Sequence, residues 1–169
     1  MKKPTSADEV RAQLPGLLPR LRRFGRVIAG NVHDADDLVQ VAVEKALTRA
    51  EQWQPGTRLE SWMFGIMKNA WIDEVRSRMR RGRVHAPEEA GFDVGEDPTE
   101  GRDVLLSVQS AMRWLPDEQR LAIALVLVAG YSYKDSAELL GIPIGTLTSR
   151  LARGREALQS MLDEGGDGP

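Results

Sequence analysis

Cysteine is absent from the 169 residues, so no disulfide braces the fold and no thiolate is available to hold a metal. Histidine is scarce: His33 and His85 lie far apart in sequence, and both read as surface residues rather than ligands. No window holds 18 uninterrupted apolar residues, and the start Met1-Lys2-Lys3-Pro4-Thr5 carries no apolar signal core. Membrane insertion is therefore not expected, and a soluble cytoplasmic protein is. Also lacking are a phosphate loop, a metal-ligand cluster and a nucleophile–base pairing, which ranks enzymatic function last. No catalytic residue, metal or cofactor is expected. What the chain does have is apolar material, 41% of its residues, enough to build a packed core in one ordinary domain or two small ones.

The net charge of −2 is unevenly placed. Residues 84–103 hold seven acids (Glu88, Glu89, Asp93, Glu96, Asp97, Glu100 and Asp103) against the single base Arg102, a local balance of −6 that leaves +4 elsewhere. Pro87, Gly91, Gly95, Pro98 and Gly101 fall in the same stretch, a composition that reads as a flexible tether rather than a packed element. The chain thus divides into an N-terminal unit over 10–83, an acidic linker over 84–101 and a C-terminal unit over 102–163, with a disordered tail expected from Gly165 to Pro169.

Both units read as helical, an all-α protein of two small domains. Leu14, Leu17, Leu18, Leu21, Phe24 and Ile28 recur at three- and four-residue spacing until Gly30-Asn31 ends the run. Asp34 is the expected cap of a second helix reaching about Gln52, with Asp37 three residues on. Leu38, Val39, Val41, Ala42, Val43, Ala46, Leu47 and Ala50 make it apolar over much of its surface, so it should be the most buried helix of the unit. Gln54-Pro55-Gly56 forms a turn, and Thr57 with Glu60 matches a capping box opening a third helix. Its stripe is Leu59, Trp62, Met63, Ile66, Met67 and Ala70. Gly65 inside that helix costs about 1 kcal/mol relative to alanine, so something should approach it closely. The helix ends in Arg76, Arg78, Arg80, Arg81 and Arg83, more cationic charge than a helix end needs, which favours a phosphate-binding surface.

The C-terminal unit carries the most informative stretch, Gly130 to Leu158, which reads as a helix-turn-helix. Ser132 can cap its first helix, Ala137 is small where two helices meet, and Gly141 suits the left-handed residue past a helix end. Pro143 suits the start of the second helix. Leu147, Leu151 and Leu158 line one face of that helix, and Thr146, Ser149, Arg150 and Arg153 line the other, as a major-groove reader requires. An ordinary helical hairpin with a solvated basic face is the alternative.

Four motifs in order narrow the choice: Asp34-Ala35-Asp36-Asp37-Leu38-Val39-Gln40; Trp62 to Asp73; Leu115-Pro116 with Arg120; and the helix-turn-helix. Over about residues 10–160 the chain resembles the bacterial sigma factors of the extracytoplasmic-function (ECF) group, which keep only sigma regions two and four. It departs from the family pattern at Val41-Ala42, where acid-Thr is usual, at Ser136, where an apolar residue is usual, and at Thr148, where lysine is common.

The resemblance implies a transcription initiation factor whose partners are core RNA polymerase, promoter DNA and an anti-sigma factor. It implies polymerase contacts at Asp36, Asp37, Gln40 and Glu44, although acids also suit a helix start. It places minus-ten recognition and melting on the loop Trp53–Glu60 and the helix after it, with Arg58, Lys68, Asn69, Trp71 and Arg76 as contacts. Melting needs flipped bases trapped and the strand backbone held by cations. Trp62 lies on the apolar stripe and reads as structural, whereas Trp71 lies off it and could stack a base. Region four would read the minus-thirty-five duplex through Thr146, Ser149, Arg150 and Arg153. The acidic linker either mimics nucleic acid inside the polymerase or serves as a plain tether. Two other readings stand beside this one: a stand-alone helix-turn-helix regulator, which leaves the N-terminal unit unexplained, and a sigma-like decoy that binds an anti-sigma factor. Such decoys are generally fused to a receiver domain, for which this chain has no room.

Overall fold

The computed structural model describes residues 2–82 and 108–164, so the acidic linker and the Gly165–Pro169 tail lie outside the described residues. Among the described residues every regular element is a helix, arranged as two helical domains. Helix α1 (Ser6–Ala29) starts at a capping box, in which the Thr5 hydroxyl accepts the Asp8 amide and the Asp8 carboxylate accepts the Thr5 amide. It runs through Pro15 and Pro19, although a proline inside a helix costs about 3 kcal/mol or more. Both prolines face solvent, while Val10, Leu14, Leu21, Phe24 and Ile28 are buried on the other side. Burial of such side chains contributes roughly 1.5–3 kcal/mol each, which outweighs the two prolines.

Helix α2 (Val32–Thr48) is capped by Asn31, not by Asp34: the Asn31 carboxamide oxygen accepts the Asp34 amide at 2.8 Å. The Asp34 carboxylate is instead held by the Asn31 amide group and by Arg78 at 3.0 Å. The helix stops at Thr48, followed by a 3-10 turn Ala50–Gln52. Helix α2 is not the most buried of the unit. Eight α1 residues are buried against five in α2, and Val41 and Leu47 of α2 are exposed. Helix α3 (Leu59–Arg80) opens without the expected capping box. Thr57 spends its hydroxyl on the Gln54 carbonyl, and Glu60 is taken by two arginines. Its buried residues include Leu59, Met63, Phe64, Met67 and Trp71.

In the C-terminal unit, residues 108–112 are helical and lead through Leu115-Pro116 into α4 (Asp117–Ile123). The chain continues as one π-helical turn, Ala124–Val128, and is released by Gly130 at φ +78°. Helix α5 (Tyr133–Leu140) has the expected Ser132 cap on the Asp135 amide, and Gly141 follows it at φ +66°. Helix α6 (Ile144–Asp163) packs against α4 through Leu147, Leu151 and Gly154. A Cβ on Gly154 would stand 2.6 Å from the Ile123 Cδ1, so a larger residue there would require the Ile123 side chain to shift. The two units share one continuous core: Tyr131 lies edge-on to Phe64 with ring centroids 5.9 Å apart, and Phe64 in turn packs on Phe24 at 4.6 Å.

Candidate polymerase and promoter interface

Asp36, Asp37, Gln40 and Glu44 all lie exposed along α2. Gln40 and Glu44 form a ridge between two clefts. One, about 510 Å³, runs between α2 and α3 and is lined by Asp37, Gln40, Glu44, Trp71, Asp73 and Glu74 among others. The second, about 450 Å³, runs between α2 and α1 and is lined by Asp36, Gln40, Glu44, Arg22 and Arg26 among others. A polar ridge flanked by two grooves is the shape that inserts between side-chain rows of a partner helix. The clefts could not be read from the sequence, because α1 and α3 supply their far walls.

On α3, Trp62, Asn69 and Arg76 follow one another at seven-residue intervals and therefore share one face, which Arg58 continues one turn before Trp62. Arg58, Asn69 and Arg76 are exposed and Trp62 is half-buried. Arg58 is not a free cation. Its guanidinium donates to Glu60 at 3.2 Å, and the same nearly buried carboxylate accepts Arg20 of α1 at 2.9 and 2.8 Å. Arg20 is thus a cation beside the loop that sequence reasoning missed, since the two positions are 40 residues apart. Lys68 is half-buried, and burial pulls its pKa below the ordinary lysine value.

The expectation for Trp71 as an open stacking ring is not met. Trp71 is 2% exposed, with the Arg78 guanidinium 5.6 Å from its ring centroid, so it offers no open face to a base. Trp62 is half-buried and packs on the core, as its place on the apolar stripe suggests. The arginine run is likewise divided. Arg78 pairs with Asp34 and Glu74, and Arg81 reaches Glu74 at 3.6 Å. Arg76 and Arg80 are exposed, and Arg83 lies outside the described residues.

On α6, Ser149 and Arg153 are exposed and Thr146 is half-buried. Arg150 is half-buried and stands 3.7 Å from Glu118 of α4, so the two arginines do not share one open face as their spacing suggests. Arg120 is 2% exposed: it donates to the Arg113 carbonyl and to the Asp117 carboxylate, a brace for the unit rather than a contact for DNA.

The two-domain helical architecture agrees with the comparisons to known proteins. Residues 16–81 match the family model Sigma-70 region 2, and residues 105–158 match Sigma-70, region 4. The chain is 34% identical over 158 residues to the ECF RNA polymerase sigma factor EcfG of Rhodopseudomonas palustris, covering 92% of this chain and 86% of that protein. It is 37% identical over 145 residues to SigM of Mycobacterium tuberculosis, covering 85% and 71%. Among solved structures, the sigma factor RpoE of Bartonella quintana, in complex with the anti-sigma factor NepR, superposes with a TM-score of 0.78 at 30% identity, covering 92% of this chain and 97% of that one. The chain belongs to the ECF sigma factors of the sigma-70 family, proteins that direct transcription by RNA polymerase. Among the described residues no helix is long and apolar enough to cross a membrane.

Proposed function

We propose that this sigma factor grips core RNA polymerase with the α2 ridge, holds the melted minus-ten strand along α3, and reads the minus-thirty-five duplex with α6. The observation that carries the first assignment is Gln40 and Glu44 standing between two clefts, with Asp36 and Asp37 a turn earlier. The exposed Val41 and Leu47 add apolar surface for a partner to cover. For the minus-ten strand, the support is the shared face of Arg58, Asn69 and Arg76, with Lys68 beside it. Cations track the backbone there. For the upstream duplex, it is the exposed Ser149 and Arg153, flanked by Thr146 and Arg150, on the second helix of a well-formed helix-turn-helix.

The units are assigned as residues 10–83 for region two and 102–163 for region four, joined by 84–101; α1 begins a few residues earlier, at Ser6. The protein acts in the cytoplasm, without catalysis of its own, and an anti-sigma factor controls it. Support for that last partner is the likeness to RpoE, solved with NepR bound.

Run-off transcription from genomic promoter fragments by core polymerase plus this protein tests the function. In the same assay Asp37→Lys with Gln40→Ala should lower the affinity for core polymerase at least tenfold while circular dichroism stays native. Unchanged affinity in a folded double variant would remove the α2 ridge from the polymerase contact.

A further inference from the structure

Glu60 lies in the first turn of α3, and its side chain is only 10% exposed. Arg20 of α1 donates from Nη1 to both of its carboxylate oxygens, at 2.9 and 2.8 Å. Arg58 donates from Nη2 to Oε2 at 3.2 Å. One cation together with the positive end of a helix suffices to hold a carboxylate there. The second guanidinium leaves the trio with an uncompensated positive charge. Both arginine side chains remain open to solvent, at 62% and 74% exposed. A guanidinium carries five N–H donors, and these bonds engage one nitrogen of each, so both keep donors for a further acceptor. The neighbouring surface has the same sign. Between Glu9 and Asp34 the chain carries Arg11, Arg20, Arg22, Arg23 and Arg26 and no acid. Arg23, also exposed, lies one turn after Arg20 on α1.

We propose that Glu60 ties Arg20 and Arg58 into one two-arginine site for a phosphate of the opened minus-ten strand. Arg20, on a helix with no other assigned part in DNA binding, is then a further contact residue, and Glu60 is the residue that positions it. The inference rests on the minus-ten reading of α3. Two guanidiniums on long side chains repel each other and would diverge if nothing joined them. Here both bond the same oxygen, Oε2, so they stand side by side. A phosphodiester has two unesterified oxygens and can accept from both at once. Because the arginines are already ordered, less side-chain freedom is lost when the phosphate arrives. The carboxylate that orders them is nearly buried, whereas they are exposed, so it does not itself face the strand. Asn69 and Arg76 continue the α3 face from Arg58, and Arg20 widens that track onto α1. One consequence runs against simple electrostatics. Removing an acid from a nucleic-acid surface ordinarily strengthens binding, but neutralising Glu60 should weaken it.

The test uses core polymerase carrying the full-length protein. The probe is a fluorescent promoter fragment, taken from one that supports run-off transcription, with its minus-ten segment left unpaired on one strand. Arg20→Ala should lower affinity for this fragment about tenfold, the worth of one charged hydrogen-bonding contact. It should also flatten the slope of log affinity against log salt by about 0.7, as loss of one single-strand phosphate contact does. Arg20→Lys should recover most of the slope. Glu60→Gln should weaken binding about threefold or more although it adds positive charge. Neutral methylphosphonates placed one at a time in the unpaired strand locate the contact: at one position the replacement should weaken wild type and leave Arg20→Ala unchanged. An unchanged salt slope in Arg20→Ala with native circular dichroism overturns the proposal, and so does equal or tighter binding by folded Glu60→Gln. Should Glu60→Gln fail to fold, the Arg20 variants and the methylphosphonate series still decide. Arg76→Ala separates this proposal from the reading beneath it. If Arg76→Ala lowers affinity and Arg20→Ala does not, the two-arginine site is wrong and the strand still lies on α3. If neither variant changes affinity or slope, the strand does not lie on α3 and the proposal falls with it.

Discussion

Ser136 is fully buried in α5, and its hydroxyl has no hydrogen-bond partner. The family usually places an apolar side chain there, and the cost of the exception is physical: a buried hydroxyl left unpaired costs about 1–3 kcal/mol. Ser136→Ala removes that penalty and favours the helix, so it should raise stability by about 1 kcal/mol and the melting temperature by about 2–4 °C. Thermal unfolding followed by circular dichroism checks this, and a lower melting temperature would mean that the hydroxyl is satisfied. Asp34 makes the opposite case. Burial by itself would raise its pKa, but the Asn31 amide and the Arg78 guanidinium prevail and hold it below the ordinary 3.8. A carboxyl whose folded pKa is depressed contributes stability above its unfolded pKa and loses it as pH falls through the folded one. Stability should therefore decline on acidification below about pH 4. Asp34→Asn should be less stable than wild type at neutral pH and flatter below it. Urea unfolding at stepped pH checks both, and parallel pH curves would take Asp34 out of the acid response.

At the scale of the element, α6 separates two arginines that look equivalent in sequence. Arg153 is exposed and suits a phosphate, whereas Arg150 is half-buried and held toward Glu118. Arg150→Ala should relax base preference in the upstream element by about 1–3 kcal/mol at one position, the worth of a bidentate base contact. Arg153→Ala should weaken binding to all sequences alike. Selection from a pool of promoter variants distinguishes them; a preference unchanged in both would mean that α6 is not the reader. The existence and type of α1, α2, α3, α5 and α6 were legible from apolar spacing and caps, whereas α4 and the π-helical turn after it were not read from the sequence. Several caps were not. Asn31 rather than Asp34 starts α2, and Thr57 with Glu60 fails to cap α3, because Arg20 and Arg58 claim the Glu60 carboxylate. The prolines of α1 illustrate the same limit: local rules end a helix there, and burial of its far side keeps it intact.

At the scale of the whole molecule, the proposed minus-ten site draws on the loop before α3 and on the length of α3 itself. Arg58→Ala with Lys68→Ala should leave the minus-ten region unreactive to permanganate in the polymerase–promoter complex, while wild type shows reactive thymines. Normal reactivity in the double variant would place the trapping residues elsewhere. The sequence alone determined the family, the helical class and which residues are polar on α2, α3 and α6, since these follow from motif order and side-chain periodicity. Its expectation of a close approach at Gly65 is not met, because a Cβ there would make only an ordinary contact with Leu139, at 3.5 Å. Only the tertiary structure decided what lies over Gly65, that Trp71 is buried while Trp62 is half-open, and that Arg20 joins Arg58 on Glu60. The reason is that periodicity tells which side of a helix is apolar, but not which distant residue will cover it. Arg20 lies 40 residues from Glu60, and Leu139 comes from the other unit entirely. Such pairings follow from how the helices pack together, which no local pattern encodes.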